Sequence, residues 1–373
     1  MKIAILGTKG IPNNYGGYEQ FAEYISKKLV ERGHSVTVYN PSFHAFHGTE
    51  LNGVTIITKY SPESWMGGAA NFIYDFLCLR DALARDFDII YEAGYHSVAI
   101  SFKLLGIRKL IKPVIVTNMD GLEYKRSKWS FLTRQLIRKL EKVAVKESHF
   151  MISDNLGIKE HYFYYFEKDS FFIPYGADPV ENFDPEHLRS HFLQKFGYCM
   201  LVARLEPENN IETVLDGYLM AALQKPFIVV GNHKTPYGNY LRKKYKTDRI
   251  QFVGGIYNKN ELDSMRHFSL AYFHGHSVGG TNPSLLEAMA CESFIIAHEN
   301  VFNKRVLYDS ALYFKNKTDV KTILEEIISL RESKWASFKN KNTERIKTQY
   351  NWETIVTQHE DLFKVCLKKH GSL

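Results

Sequence analysis

The sequence predicts an α/β protein built from two successive doubly wound parallel sheets. Three observations predict it. Short apolar strand runs alternate with amphipathic helical patterns along nearly the whole chain, the alternation breaks where Gly176, Pro179 and Pro185 interrupt it, and it starts afresh at Tyr198. The chain has 373 residues, 45% hydrophobic and 24% charged, which is ordinary globular composition and enough for two full cores. The expected domains are residues 1–178 and 179–349, followed by a closing helix over 350–373.

In the first half, residues 3–7 read as a buried strand. A loop over 8–17 follows, and then a helix with Tyr18, Phe21, Ala22, Ile25 and Leu29 on one face and Gly33 after its end. A strand, a glycine loop and a helix make an anion-compatible turn, in which Gly16 and Gly17 are the candidate contacts. The glycines at 7, 10, 16 and 17 do not fit G-x-G-x-x-G, so a nicotinamide or flavin site is not supported. Further strands are expected at 36–39, 54–58, 88–92, 114–118, 150–153 and 171–174, with helices between them such as 71–84 and 97–105. Ligands of such sheets bind beyond the carboxyl ends of the strands. Two polar islands follow those ends: Glu92 to His96, which holds Tyr95 and His96, and Met119 to Glu123, which holds Asp120 and Glu123. A helix cap or plain loop carboxylate is the other reading of Asp120.

The second half predicts strands at 200–203, 227–231, 250–253, 270–273, 294–297 and 312–314, alternating with helices at 211–223, 237–245, 261–267 and 283–291. Two loops carry chemistry. After the first strand comes Arg204-Leu205-Glu206-Pro207-Glu208-Asn209-Asn210, where an Arg at a strand end is a natural clamp for a diphosphate because its fork donates two parallel bonds. Pairing of Arg204 with Glu206 or Glu208 is the alternative. The other loop, His274-Gly275-His276-Ser277-Val278-Gly279-Gly280-Thr281, ends in Asn282-Pro283, a cap and a first-turn proline. Amides from Gly279 to Ser284 and the helix dipole would face a phosphate there. Glu287, one turn further on, is placed to accept hydrogen bonds from sugar hydroxyls. Phosphate plus polyol means a nucleotide or a nucleotide sugar, whereas the plainer reading is a capped helix with a solvated Glu. A charged helix is expected over 320–347, and Tyr350-Asn351-Trp352-Glu353 opens a last one with Ile355, Val356, His359, Leu362 and Phe363 on one face.

The net charge of +7 is local: residues 125–146 hold eight Lys or Arg and one acid, Glu141, leaving 40 bases and 40 acids elsewhere. A diffuse basic surface would have pointed to nucleic acid, which is therefore not an expected partner. From Ser127 onward Trp129, Leu132, Leu136, Leu140 and Val143 recur at helical steps among Arg134, Arg138, Lys139 and Lys142. An anionic membrane surface fits that pattern. A helix packed on its own sheet with a wet basic face fits it too, and both can hold at once. Cys78, Cys199, Cys291 and Cys366 have neither zinc nor disulfide spacing, which favours a reducing compartment. The apolar run after Lys2 is too short for a signal sequence, and no stretch reaches the ~18 apolar residues of a membrane span. Asp86-Phe87-Asp88, the only Asp-x-Asp triplet, sits at a buried strand edge, so no metal is expected.

The Gly-Gly-x-Glu turn near the start, Arg204, the Gly-Gly-Thr-Asn-Pro loop, Leu-Leu-Glu-Ala-Met-Ala and the closing Tyr-x-Trp-Glu together resemble family 4 of the retaining glycosyltransferases over essentially the whole chain. The combination GTKGIPxxYGGYE, DGLEYKRSKW, ARLEPENN and HGHxVGGTNPSLLEAMA is most similar to bacterial β-1,4-rhamnosyltransferases of cell-wall and capsular polysaccharide synthesis. The resemblance implies the GT-B architecture: two facing Rossmann-like domains, acceptor largely on the first, nucleotide-sugar donor on the second, and a C-terminal helix crossing back to the first. It implies that Glu287 holds the ribose and Arg204 the diphosphate. Gly16, Gly17, Asn209, His276, Gly279, Gly280, Thr281 and Asn282 then surround the donor, with Tyr95, His96 and Glu123 on the acceptor. Asp120 becomes the group that orients the acceptor hydroxyl or takes its proton, and Glu206 addresses the sugar. Two positions depart from the family: Gly279 stands where the first motif Glu is usual, and Asn209 where a Lys is usual. Loss of the carboxylate suits a deoxysugar. The implied activity is transfer of L-rhamnose from dTDP-L-rhamnose, with no cofactor, onto a polyprenyl-diphosphate-linked saccharide, by a cytoplasmic protein peripheral on the inner face of the cell membrane. The alternatives are a sugar-nucleotide 2-epimerase, another hexosyltransferase using a UDP- or GDP-sugar, and a non-catalytic binding module.

Overall fold

The computed structural model describes residues 1–126 and 129–371, and the chain divides into two compact units. One comprises Met1–Tyr124, Ser130–Tyr175 and Trp352–Leu373, the other Lys125–Trp129 and Gly176–Asn351.

The first unit holds an eight-stranded sheet of β1 (Lys2–Leu6), β2 (Ser35–Pro41), β3 (Glu50–Leu51), β4 (Val54–Lys59), β5 (Ile89–Glu92), β6 (Val114–Asn118), β7 (Phe150–Ser153) and β8 (Phe171–Phe172), in the order 3-4-2-1-5-6-7-8. All neighbours are parallel except β3 with β4. The central strands are buried on both faces, which is why they read as unbroken apolar runs. β3, only two residues long, was too short to show a pattern. The helix Leu156–Phe166 was also not anticipated: His161 to Phe166 is aromatic without a helical period, and the one legible signal is Asn155, whose Oδ1 accepts from the Gly157 amide at 2.8 Å.

The last helix, Trp352–Lys369, belongs to this unit and packs on the helix Gly17–Glu31. Trp352 stacks on Tyr24 with ring centroids 4.4 Å apart, His359 meets Phe21 at 5.2 Å, and Arg32 bridges Glu353 and Glu360 at 2.7 and 3.1 Å.

The second unit holds β9 (Cys199–Val202), β10 (Phe227–Val230), β11 (Ile250–Gly254), β12 (Ala271–His274), β13 (Ile295–His298) and β14 (Leu312–Phe314), all parallel, in the order 11-10-9-12-13-14. The chain winds outward one way from β9 and the other way from β12, so these adjacent strands mark the topological switch point, where an open α/β sheet takes its ligand. The charged helix expected over 320–347 is two helices, Lys317–Glu325 and Ile327–Arg345, followed by a π-helical turn Ile346–Tyr350. They have different partners: the first packs on the helix Ile211–Met220 and the second on Pro283–Ala290, and the break at Glu326 lets each reach its own.

Candidate functional site

The switch point brings together the two loops singled out from the sequence. The loop after β9 is closed from within: the Glu206 amide donates to the Arg204 carbonyl at 2.9 Å, and Asn209 Nδ2 to the same carbonyl at 2.8 Å. Asn209 is buried, and its amide pins the loop. Sequence reasoning, which gave Asn209 a ligand to hold, could not see that carbonyl. Arg204 itself is exposed, and its guanidinium makes no ion pair among the described residues. The acids expected to compete for it are taken by Arg126, whose Nη1 lies 3.5 Å from Glu208 Oε1 and 3.8 Å from Glu206 Oε2.

The loop after β12 is stitched to this one. Asn210 Nδ2 donates to the Gly275 carbonyl at 2.8 Å, and the amide and hydroxyl of Ser277 donate to the Glu208 carbonyl at 3.1 and 2.7 Å. A Cβ at Gly275 would stand 2.1 Å from the Asn209 carbonyl oxygen, so only glycine lets the loops approach this closely. Gly279 has φ +134° with open space where a side chain would project, so its backbone is both glycine-specific and accessible. The His276 carbonyl is held by Asn300 and Asn303, each at 3.0 Å, and its ring stacks on His274 at 4.4 Å. Burial, then the charges of Arg204 and Arg126, hold the His276 ring neutral, its pKa lowered to about 3.

Asn282 caps the helix Pro283–Ala290 as expected, its Oδ1 accepting from the Ser284 amide at 3.0 Å and from the Ser284 hydroxyl at 2.8 Å. That bond corrects the expected amide inventory: the Ser284 amide is spent on the cap, and Thr281 in the loop before it is buried. Glu287 does not lie loose on the surface. Its Oε2 accepts from Arg266 Nη2 at 2.5 Å.

The first unit gathers a second set at the carboxyl ends of β5 to β7. Asp120 follows β6, and its Oδ2 accepts from the Tyr175 hydroxyl at 3.2 Å. Tyr175 is buried, as is Asp154 after β7, and neither was singled out from the sequence; each directly follows an apolar run, the only signal that could have found it. Tyr95 is buried and its hydroxyl donates to the Gly121 carbonyl at 3.1 Å, so it shapes the Asp120 loop instead of offering a free group. His96 and Glu123 are partly exposed. The loop before Gly16 and Gly17 is lined by its own acceptors. Glu19 takes the Lys9 amide and Glu23 the Asn13 amide, each at 2.7 Å, while Asn13 Oδ1 takes those of Tyr15 and Gly16 at 3.1 and 3.3 Å. Few of its amides are left for an anion.

The basic segment forms the helix Phe131–Glu147, capped by Ser130; its expected start at Ser127 lies outside the described residues, and Trp129 precedes the helix, half-buried. The buried stripe is Ile137, Leu140, Ala144 and Val145, not the one expected: Leu132 and Leu136 are exposed, at 79% and 51%, with Phe131 at 72%. Glu141 turns inward to Tyr162 at 3.1 Å, so Arg138, Lys139, Lys142 and Lys146 stand exposed without it, while Arg134 is half-buried. Among the described residues no group of three His, Cys, Asp or Glu is placed to hold a metal, and no helix is long and apolar enough to cross a membrane.

Comparison with known proteins bears on both units. Residues 1–178 match the model of a domain of unknown function, DUF1972, and residues 185–352 that of the glycosyl transferases group 1. No curated protein sequence matches the chain. Among solved structures, the sucrose-phosphate synthase of Thermosynechococcus elongatus aligns over 99% of each chain with TM-score 0.79 and 16% identity. HepE of Anabaena, solved in complex with UDP and glucose, aligns over 98% of this chain and 100% of its own with TM-score 0.75 and 15% identity. The α,α-trehalose 6-phosphate synthase of Burkholderia multivorans covers 100% and 99%, with TM-score 0.70 and 12% identity. The chain has the GT-B fold, with two parallel-sheet α/β units and a C-terminal helix, and its residues 185–352 match the model of the group 1 glycosyl transferases.

Proposed function

We propose that this protein is a retaining glycosyltransferase, moving L-rhamnose from dTDP-L-rhamnose onto a polyprenyl-diphosphate-linked saccharide in bacterial polysaccharide synthesis, at the inner face of the cell membrane. The observation that carries the reading is the exposed Arg204, free of any ion pair among the described residues, on a loop stitched to the glycine loop at the switch point of the second sheet. One loop offers a forked cation and the other accessible amides, the donors a departing diphosphate needs. Glu287 is assigned to the ribose hydroxyls. Gly279, in place of a carboxylate, suits a deoxysugar held by amides and apolar contact.

In the reaction the bond between the anomeric carbon and the diphosphate oxygen breaks, and its electron pair leaves with the nucleoside diphosphate. Arg204 and the amides of Gly279 to Thr281 stabilise that charge. The acceptor oxygen bonds to the same face of the anomeric carbon, and its proton passes to Asp120, which Tyr175 orients. The helix Phe131–Glu147 supports the lipid-linked acceptor: exposed Phe131, Leu132 and Leu136 beside exposed cations form the surface that anionic lipid headgroups attract.

A UDP-hexose donor is the second reading, favoured by HepE, whose structure holds UDP and glucose. A melting-temperature panel of dTDP-, UDP- and GDP-sugars, followed by a nucleoside-diphosphate release assay with and without a polyprenyl-diphosphate-linked saccharide, separates these. The largest stabilisation is expected from dTDP-L-rhamnose, with release that needs the acceptor. Conversion of a UDP-sugar without acceptor would mean an epimerase, and no response to any nucleotide sugar would remove the donor site.

A further inference from the structure

The loop after β1 spends amides on its own acceptors, and what it presents to solvent is aromatic: Tyr15 is 64% exposed. The loops after β2 and β4, whose strands stand next to β1 in the order 4-2-1, do the same. Phe43 is 48% exposed, Tyr60 59% and Trp65 71%. Exposed rings gathered on adjacent loops mark a binding surface, where scattered ones would not.

The three loops are tied to one another. The Ile11 amide donates to Asn40 Oδ1 at 3.0 Å and Asn40 Nδ2 to the Ile11 carbonyl at 2.8 Å, while the Ser61 amide donates to the Ser42 hydroxyl at 3.1 Å. Lys9 Nζ lies 2.5 Å from Glu63 Oε1, 4.3 Å from the centre of the Tyr15 ring and 5.7 Å from that of Phe43. Lys9 thus brings Tyr15, Phe43 and the turn Glu63–Met66, which carries Trp65, to one place. Its charge is spent on Glu63, whose Oε2 has no hydrogen-bond partner among the described residues. Rings around a neutralised cation suit a neutral polyol better than an anionic headgroup, in contrast to the exposed cations of the helix Phe131–Glu147. One face of a pyranose is a set of C–H bonds that rests on the electron-rich face of an aromatic ring, and the hydroxyls at its rim find donors and acceptors.

We propose that the loops after β1, β2 and β4 form a saccharide-binding face for the acceptor rings beyond the one that receives the new sugar. Tyr15, Phe43, Tyr60 and Trp65 stack on those rings, and Glu63 accepts from a hydroxyl. β1 also neighbours β5, so the face continues through the loop of Tyr95 and His96 towards Asp120 after β6. With strands about 4.8 Å apart, the ends of β4 and β6 are separated by about 19 Å, a span that calls for several sugar rings. This rests on reading the protein as a glycosyltransferase with a saccharide acceptor.

Calorimetry and saturation-transfer NMR with glucose, N-acetylglucosamine and their β-1,4-linked di-, tri- and tetrasaccharides test it. Affinity is expected to rise with the number of rings, and to fall by about tenfold in Tyr15→Ala with Trp65→Ala. Trp65→Phe, which keeps a ring, should stay close to wild type. Both side chains are exposed, so an unchanged melting temperature is expected as the control for folding. Wild-type affinity in the double variant, or no binding of any of these saccharides by the wild-type protein, overturns the inference. Unchanged saccharide binding with lost sedimentation on phospholipid vesicles would overturn it too, in favour of a lipid-inserting surface. Acceptor-dependent nucleoside-diphosphate release separates this inference from the activity: the double variant should raise the acceptor KM with little change in kcat. Wild-type kinetics in that variant would remove the face and leave the transferase standing, whereas no release by the wild-type protein with any acceptor would remove the transferase.

Discussion

Nη2 of Arg266 lies 2.5 Å from Oε2 of Glu287, and Nη1 of the same guanidinium lies 3.1 Å from Asp263. Arg266 is buried, so the acid assigned to the ribose is anchored from beneath by a cation that water does not screen. An acid already held in place loses little further freedom when it accepts sugar hydroxyls. Two effects of Glu287→Ala are expected. Nucleotide affinity falls by about tenfold or more, and stability falls by about 2 kcal/mol because the buried guanidinium keeps only Asp263, itself shared with Lys259. Calorimetry and urea unfolding measure the two separately. Unchanged nucleotide affinity in a destabilised Glu287→Ala would leave the pair a purely structural one.

Asp120 is expected to act on turnover and not on donor binding. Asp120→Asn should lower kcat by about 10²- to 10⁴-fold, the range for a lost general base, with nucleotide affinity unchanged. Tyr175→Phe removes one hydrogen bond and leaves the carboxylate, so its effect should be smaller. Steady-state kinetics with the saccharide acceptor decide it, and a kcat within a few-fold of wild type for Asp120→Asn would take the proton-transfer role away.

The first unit carries two buried acids whose pKa values the fold raises. Burial, against a hydrogen bond from Ser97, raises the Asp75 pKa to about 7, and burial followed by the charge of Asp75 raises that of Glu92 well above the usual carboxylate range. Among the described residues neither oxygen of Glu92 has a hydrogen-bond partner. A raised carboxyl binds a proton in the folded state that the unfolded chain has lost, so its stability contribution is full below the unfolded value of 3.8 and drains away as pH rises to about 7. Asp75→Asn should therefore flatten the fall in urea midpoint between those limits and raise stability at pH 8 by up to about 4 kcal/mol. A variant with the wild-type slope would mean that Asp75 ionises freely.

On the helix Phe131–Glu147, the apolar and cationic contributions to membrane binding are expected to separate. Arg138→Glu with Lys142→Glu should weaken sedimentation with anionic vesicles strongly in low salt and little in high salt. Phe131→Ser with Leu132→Ser should weaken it at any salt, because inserted apolar area is not screened. Indifference to both pairs would leave the helix a wet basic surface.

The alternation of strand and helix was legible because the sheets are parallel and doubly covered, so each strand is a continuous apolar run and each helix a clean stripe. Both loops of the second unit's candidate site were legible as loops for the same reason, since they follow β9 and β12. What failed had no periodic signal or depended on a distant partner. β3 is two residues long, and the helix Leu156–Phe166 ends in an unbroken aromatic run over 161–166. The hydroxyl of Tyr95 is consumed by a carbonyl that only the fold brings near, whereas the amide of Asn209 and the amides around Gly16 are consumed within their own loops, by pairings that leave no periodic signal. Leu132 and Leu136 continue the apolar spacing of Leu140, yet packing covers only the later part of that stripe. Arg126, far from Glu208 in sequence, could not have been paired with it by any local pattern.

The central claim is that Arg204 holds the leaving diphosphate. Acceptor-dependent release of nucleoside diphosphate from the sugar nucleotide, compared between the wild-type protein and a folded Arg204→Ala variant, tests it most directly. Release that requires the acceptor and nearly vanishes in the variant is the predicted result; full turnover in Arg204→Ala would contradict it.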